Sequence, residues 1–430
     1  MSEQKKGGLK TAIVHYSAPP VIGGVEAVIE AHVHELLAHG YPVRVIAGRG
    51  EKAALPDGAE LAVIAEMGTQ HSQALEAGRL LAQGERPENF EALKQALVER
   101  LDPALADRDV VIVHNIFGKH FNLPLTAALL DLRVARPKQR WIAWGHDFTW
   151  TSPNSRHKVH PGYPWDLLRG YRSDVIYVVV SQQRQQELAE LFGVNPQVIQ
   201  VIYNGVDPGV ILGLSAQGRE LARRLGLLQS DLNLLMPVRV TKAKNIELAL
   251  RVTAVLKQAG AALKVVVTGP PDPHEEKSMA YYRSLLALRK DLDVEDDLRF
   301  VFETPLDSGG DLQTDAGTVV AMRVVGELYR LSDALLMPSH REGFGMPVLE
   351  AGLMGLAVFS AEAVPAAREI GAPQAVIFPN DTTPEQLALR IKEWMADDPI
   401  YQQRRRARTG YTWQALFERQ IEPVIQGKGA

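Results

Sequence analysis

The sequence predicts an α/β protein made of two doubly wound domains of similar size, each a parallel sheet covered by helices on both faces. Two observations carry that expectation. From residue 11 onward, apolar runs of strand length alternate with segments of helical spacing, the pattern of a parallel sheet with crossover helices. The alternation pauses over residues 209–230 and then restarts, and 430 residues suffice for two such domains. No repeat at a fixed short period is visible, which excludes a solenoid.

Thr11-Ala-Ile-Val-His-Tyr16 reads as the first buried strand. A Pro/Gly loop follows, then helical spacing from Val25 to Leu37 that stops at Gly40, and a strand at Val43-Arg-Val-Ile-Ala47. Further strands are expected near 61–65, 109–113, 141–145 and 175–180, with polar surface helices over 73–101 broken around Gly84–Pro87. Tyr203-Asn-Gly-Val-Asp-Pro208 closes the first half with strong turn chemistry, and 209–230 reads as the crossing into the second domain. There, strands are expected at 233–238, 263–268, 298–302, 333–337, 356–360 and 374–378. Helices at 384–397 and 399–408 then precede a final amphipathic helix from Trp413 to Ile425.

A formal net charge of -4 gives no global argument for nucleic acid. The sequence has no cysteine, which excludes disulfides, a thiol nucleophile and thiolate metal sites. The first residues, Met-Ser-Glu-Gln-Lys-Lys-Gly-Gly, lack the apolar core of a signal peptide, and no run approaches the ~18 apolar residues of a membrane span. A cytoplasmic setting is expected. The Gly-x-Gly-x-x-Gly fingerprint of a nicotinamide or flavin dehydrogenase is absent after the first strand, as are His-Glu-x-x-His, P-loop and Gly-x-Ser-x-Gly motifs. Asp107-Arg-Asp109 and Asp291-Leu-Asp293 spell a divalent-metal motif, but in charged helix-edge contexts where chance explains them better.

The stretch that organises the chemistry is Glu342-Gly-Phe-Gly-Met-Pro-Val-Leu-Glu350, which follows the apolar run Asp333-Ala-Leu-Leu-Met-Pro-Ser339. It places two carboxylates around a glycine turn that opens a helix, with Pro347 suited to the first turn. Gly343 and Gly345 let backbone N–H groups approach a ligand, and a helix N-terminus favours an anion such as a phosphate. Glu342 and Glu350 accept hydrogen bonds when ionised, and sugar hydroxyls donate them.

Other strand ends carry complementary groups. Gly23 and Gly24, in Val21-Ile-Gly-Gly-Val-Glu26, permit close approach of a diphosphate or of an acceptor. Arg239 and Lys244 lie just past the first strand of the second domain, where two cations would neutralise a leaving diphosphate; Lys242 is a rival for Lys244. His146-Asp147 follows an apolar strand and has the makings of a general-base pair, although an orienting or capping role suits Asp147 better. His114-Asn115 ends a strand and is a candidate for the acceptor side, and Gly269, in Thr268-Gly-Pro270, could admit a base or ribose. Ser181 and Asn204-Gly-Val-Asp207 read as structural turns.

The form Glu-Gly-Phe-Gly-x-Pro-x-x-Glu-Ala, with Gly-Gly-x-Glu, Asn-Gly-Val-Asp and the Arg/Lys pair in the same order, resembles the retaining family 4 glycosyltransferases (glycosyltransferase group 1). The resemblance implies the GT-B fold, two Rossmann-like domains facing a central cleft. It implies an acceptor-side domain at 1–210, a sugar-nucleotide domain at 211–395, and a segment 396–430 whose helix packs back on the first domain. The implied reaction moves a hexosyl group from a nucleoside diphosphate sugar to a hydroxyl of an unidentified acceptor, with retention and without a metal or cofactor. UDP-glucose is the favoured donor and GDP-mannose the next.

The same resemblance assigns roles. Glu350 would hold the ribose hydroxyls and Glu342 the donor sugar, while Arg239 and Lys244 take the diphosphate. Gly343, Phe344, Gly345, Met346, Pro347 and Val348 would line the donor, and His146 would stand against its sugar. The acceptor is expected to be a small molecule, a glycan or a lipid-linked acceptor. A sugar-nucleotide epimerase or glycoside phosphorylase of the same fold, and a non-catalytic sugar-nucleotide-binding relative, fit the same residues.

Two stretches depart from the family's pattern. Residues 304–319 form a long loop rich in glycine and acids, expected to border the base pocket or to lie on the surface. Residues 133–172 are basic and aromatic, with Arg133, Arg136, Lys138, Arg140, Arg156, Lys158, Arg169 and Arg172 among Trp141, Trp144, Trp150, Tyr163 and Trp165, which would suit an anionic acceptor or peripheral membrane contact.

Overall fold

In the computed structural model, which describes residues 8–272, 274–307, 312–314, 317–319 and 321–428, the chain divides into two units. One comprises Met1–Gly205 with Trp413–Ala430, the other Val206–Thr412.

The first unit runs β1 (Thr11–His15), α1 (Gly24–Ala38), β2 (Val43–Ala47), β3 (Glu60–Val63), α2 (Ser72–Ala82), α3 (Phe90–Leu105), β4 (Val110–His114), α4 (Leu123–Ala135), β5 (Arg140–Gly145), β6 (Val175–Val179), α5 (Gln182–Phe192) and β7 (Ile199–Val201). Its seven strands are all parallel, in the order β3-β2-β1-β4-β5-β6-β7. β1 and β4 are buried at every position, as unbroken apolar runs in the middle of a parallel sheet must be. Alternate residues of β1 serve opposite faces: Ile13 packs with Ile29, Val33 and Leu36 of α1, while Ala12 and Val14 pack with Leu97 and Leu101 of α3. β7 is a short edge strand that the sequence pattern did not separate from the turn at 203–208.

The second unit runs α6 (Pro208–Ile211), α7 (Ala216–Arg224), β8 (Leu232–Met236), α8 (Ile246–Gln258), β9 (Leu263–Val267), α9 (Glu276–Asp291), β10 (Leu298–Phe300), β11 (Leu312–Thr314), β12 (Gly317–Val319), α10 (Met322–Leu331), β13 (Ala334–Met337), α11 (Met346–Leu353), β14 (Ala357–Ala361), β15 (Val376–Phe378), α12 (Pro384–Asp397) and α13 (Pro399–Gly410). Six parallel strands lie in the order β10-β9-β8-β13-β14-β15, the same winding as the first sheet less its last strand. The stretch expected to be a mere crossing contains α6 and α7, capped by Asp207 and Ser215. The expected 304–319 loop holds an antiparallel β11–β12 hairpin; residues 308–311, 315 and 316 lie outside the described ones.

The unit boundaries differ from those expected. Val206 bridges Thr412, so the first boundary falls before Val206 and not at 210. Residues 396–412 belong to the second unit because α13 is pinned there: the buried Arg408 guanidinium donates to both carboxylate oxygens of Asp333 at 2.7 and 2.8 Å, and Tyr401 donates to the Asp231 carbonyl. The chain returns to the first unit only from Trp413, through α14 (Trp413–Leu416), a π-helical turn at Phe417–Ile421 and α15 (Glu422–Gln426). Phe417, Ile421, Val424 and Ile425 join the α1-side core, and Tyr41 donates to Glu422 at 2.6 Å.

Candidate active site

In the second unit the strand order reverses between β8 and β13, and ligands of doubly wound sheets sit beyond the strand ends at such a point. Past β8, Gly269 N donates to Val238 O at 3.0 Å. A Cβ on Gly269 would stand 2.8 Å from that oxygen and 2.9 Å from Arg239 Cα. The glycine therefore lets two strand-end segments touch, which differs from the expected room for a base or ribose. It fixes the backbone of Arg239, whose exposed guanidinium has no ion-pair partner among the described residues.

Beyond Arg239 the chain makes a 3-10 turn at Lys242–Lys244, and Asn245 takes left-handed backbone at φ 48°. His340 N donates to Ala243 O at 2.8 Å and ties this loop to the one that follows β13. The tie brings Lys244 Nζ to 2.5 Å from Glu342 Oε1, an oxygen that also accepts from Ser339 Oγ at 2.9 Å. Lys242 is exposed and joins no ion pair among the described residues, so the structure separates the two rivals.

The turn itself is set by Gly345. Its φ is +103°, and a Cβ would lie 2.5 Å from Val364 Cγ1, so strain and space both demand glycine. Gly343 differs: a Cβ there would meet nothing within 4 Å, so its missing side chain only opens the turn to solvent. Phe344 O accepts from Ala366 N at 2.8 Å, which pins the turn from behind. α11 then starts at Met346 with no side-chain cap, leaving N–H groups of its first turn without a side-chain partner. Met346 is exposed and Pro347 half-buried, whereas the Val348 side chain is buried in the core, so Val348 can offer a ligand backbone only. Glu350 on α11 accepts from the Tyr329 hydroxyl of α10. Burial and that carboxylate push the Tyr329 phenol up, so it stays a donor. Tyr329 carries no motif, and sequence reasoning missed it.

The first sheet reverses between β1 and β4, and three consecutive neighbours in it, β1, β4 and β5, end in or lead into histidine. His15 Nδ1 lies 2.9 Å from His114 O, and His114 Nδ1 lies 3.2 Å from His146 Nε2, with those two rings stacked. Asn115, in left-handed backbone at φ 60°, accepts from His146 N at 2.8 Å and so sets the position of His146. His32 of α1 completes the cluster, buried edge-on against Trp144 and Trp413 with neither ring nitrogen hydrogen-bonded. Burial, then the His15 charge, holds His146 down at about 4, and burial with His146 holds His32 at about 3. His114 is held well below its ordinary value by the same causes. The cluster is uncharged at neutral pH. Only the tertiary fold could have revealed it, since the four residues run from position 15 to position 146.

Asp147 pairs with Lys119 at 2.7 Å and is not the partner of His146. Gly23 makes room for Glu26: a Cβ would stand 2.2 Å from Glu26 Oε2. With a carboxylate folded over it, the start of α1 is ill suited to a diphosphate, while Gly24 faces open space. Ser181 caps α5 and Asp207 caps α6, both structural as expected. The basic stretch 133–172 is not one patch. Arg133, Arg136, Lys138 and Arg140 lie where α4 ends and β5 begins, and the rest follow β5. Arg133 pairs with Asp174, Arg136 with Asp102 and Arg169 with Asp166, and Arg172 donates to two local carbonyls. Among the described residues no group of three His, Asp or Glu is placed to hold a metal ion, and no helix is long and apolar enough to cross a membrane.

Two family profiles divide the chain between them: Glycosyltransferase Family 4 matches residues 22–210, and Glycosyl transferases group 1 matches residues 219–412. The chain belongs to the family 4, group 1 glycosyltransferases. The paired α/β sheets are those of the GT-B fold. Similar curated members include the D-inositol 3-phosphate glycosyltransferase of Kineococcus radiotolerans, 29% identical over 57% of this chain and 55% of its own length. Another is the mannosylglucosylglycerate synthase of Petrotoga mobilis, 25% identical over 57% of this chain and 58% of its own. The match thus spans little more than half the length of these relatives. Among solved structures, WaaG, a glycosyltransferase involved in lipopolysaccharide biosynthesis, aligns over 97% of this chain and 98% of its own at 16% identity and a TM-score of 0.33.

Proposed function

We propose that this family 4 member is a retaining hexosyltransferase, taking its sugar from a nucleoside diphosphate sugar and passing it to an acceptor hydroxyl without a metal. UDP-glucose is the favoured donor and GDP-mannose the next. The observation that carries the reading is the Lys244–Glu342 pair beside the open Gly343 turn and the uncapped start of α11, at the reversal point of the second sheet. A cation, an acceptor carboxylate and the start of α11 stand together there, matching the phosphate, the hydroxyls and the charge of one nucleotide sugar.

In this reading Lys244 and the unpaired Arg239 hold the diphosphate and stabilise it as it leaves. Glu342 accepts from hydroxyls of the donor sugar, and Glu350, steadied by Tyr329, accepts from the ribose. The bond from the anomeric carbon to the diphosphate oxygen breaks, and the acceptor oxygen bonds to that carbon on the same face. The departing phosphate oxygen takes the acceptor proton, so retention needs no carboxylate nucleophile. The first unit, where Glu26 covers Gly23 and Gly24 stays open, is assigned to the acceptor. A cytoplasmic setting belongs to the same proposal.

A thermal-shift panel of UDP, GDP and ADP with their sugar conjugates tests the reading, since a ligand at a hundred times its dissociation constant adds about 2.7 kcal/mol. A selective shift that disappears in Arg239→Ala identifies the donor. No shift with any nucleotide overturns the proposal.

A further inference from the structure

His114 ends β4 out of contact with water, and burial keeps its ring neutral, as it does that of His146. A neutral imidazole has one N–H and one lone pair, so the His114 proton sits on Nδ1 or on Nε2. Nδ1 lies 3.2 Å from His146 Nε2. The two ring planes are 26° apart and their centroids 5.5 Å apart, which puts both nitrogens close to the line of centres, where an N–H of one ring can point at the lone pair of the other. That bond can be made in either direction. His114 Nε2 decides between them, because it is buried with no hydrogen-bond partner among the described residues. If His146 donates, the His114 proton sits on Nε2 as a buried donor without an acceptor. If His114 donates, only a lone pair is left unmatched there. Buried main-chain groups set the precedent, since orphaned N–H groups are rarer than under-used acceptors.

We infer that His114 is a positioning residue: it donates from Nδ1 to His146 Nε2 and thereby holds the His146 proton on Nδ1, the nitrogen left free for a ligand. His146 Nδ1 joins no hydrogen bond among the described residues, and the residue is only partly buried. A ligand oxygen that meets it must accept, whereas the opposite tautomer would require that oxygen to donate. That the oxygen belongs to the transferred sugar rests on the hexosyl-transfer reading. Asn115 accepts from His146 N at 2.8 Å, so two consecutive residues fix the backbone and the ring of one histidine.

The full chain, labelled with nitrogen-15 at histidine, is studied at neutral pH by long-range proton–nitrogen NMR, which separates the tautomers by their ring nitrogen shifts. His114→Asn and His146→Gln assign the signals. Both histidines are expected in the Nδ1–H form. UDP and UDP-glucose are then titrated calorimetrically into wild type, into His114→Asn, which keeps an amide donor in place of Nδ1, and into His114→Leu, which has none. The extra affinity of UDP-glucose over UDP is expected to fall at least about fivefold in His114→Leu and to stay within about twofold of wild type in His114→Asn, with UDP alone bound equally by all three. An Nε2–H form of His146 in the wild-type chain overturns the proposal, even if neither variant folds. So does equal loss in both variants, which marks a merely structural role, or full retention in His114→Leu. An Nδ1–H His146 in a chain that binds neither UDP nor UDP-glucose would support the tautomer and overturn the donor reading, so the two failures are distinguishable.

Discussion

Lys244 Nζ and Glu342 Oε1 lie 2.5 Å apart although 98 residues separate them in sequence. The pair holds the expected diphosphate cation and the expected sugar-binding carboxylate in mutual neutralisation, so each sets the charge the other presents to a ligand. In Lys244→Ala, Glu342 keeps only Ser339 and faces the diphosphate as an uncompensated anion. UDP affinity measured by calorimetry is expected to fall at least about tenfold, the scale of a lost charged hydrogen bond. Adding Glu342→Gln should restore part of it. Additive losses would show that the two residues do not act as a pair.

Gly343 and Gly345 make opposite predictions. Gly345→Ala places a side chain at positive φ and 2.5 Å from Val364 Cγ1, and is expected to cost about 1–3 kcal/mol in urea unfolding. Gly343→Ala meets no protein atom, so stability should stay within about 0.5 kcal/mol while UDP-glucose affinity drops. Unchanged affinity would remove Gly343 from the donor site.

The histidine cluster makes the protein sensitive to acid. His146 and His32 titrate near 6.5 in the unfolded chain but are held at about 4 and about 3 when folded. Above pH 6.5 neither state binds these protons and their contribution is intact. As pH falls below 6.5 only the unfolded chain takes them up, so stability drops by about 1.4 kcal/mol per pH unit per histidine until the folded values are reached. His32 offers a clean test, since its nitrogens have no hydrogen-bond partner to lose. His32→Phe should reduce the loss of stability between pH 8 and pH 5 by about 2 kcal/mol. An unaltered pH dependence would show that His32 does not contribute to it.

Arg408 and Asp333 anchor α13 to the start of β13, fully out of water on the Asp333 side. Removing Asp333 strands the buried Arg408 charge, so Asp333→Ala is expected to destabilise the second unit by about 3–5 kcal/mol, and Arg408→Ala by less, because Asp333 keeps Arg404 at 3.7 Å and the Asn233 N–H. Unfolding followed by fluorescence and by circular dichroism would show the transition of that unit moving to lower urea. A loss under about 1 kcal/mol would mean that the bridge adds little beyond packing.

Much of this protein could be read from the chain alone because the reading rests on local periods. Apolar runs such as Thr11–His15 and Ala334–Met337 are strands because parallel central strands are buried on both faces, and helical spacing supplies the crossovers. The glycine turn at 343–345 and the cations after β8 were visible for the same reason: strand ends, turns and helix starts follow from a few neighbouring residues. What tertiary structure decided is which side chains meet. Lys244 prevails over Lys242 because a backbone bond from His340 to Ala243 orients one turn, and Tyr329 reaches Glu350 because α10 packs beside α11. Sheet order β1-β4-β5 alone gathers His15, His114 and His146, and the Arg408–Asp333 bridge together with the Tyr401–Asp231 bond assigns α13 to the second unit. Such partners lie tens to a hundred residues apart, and no local period encodes a contact that depends on the order in which strands assemble.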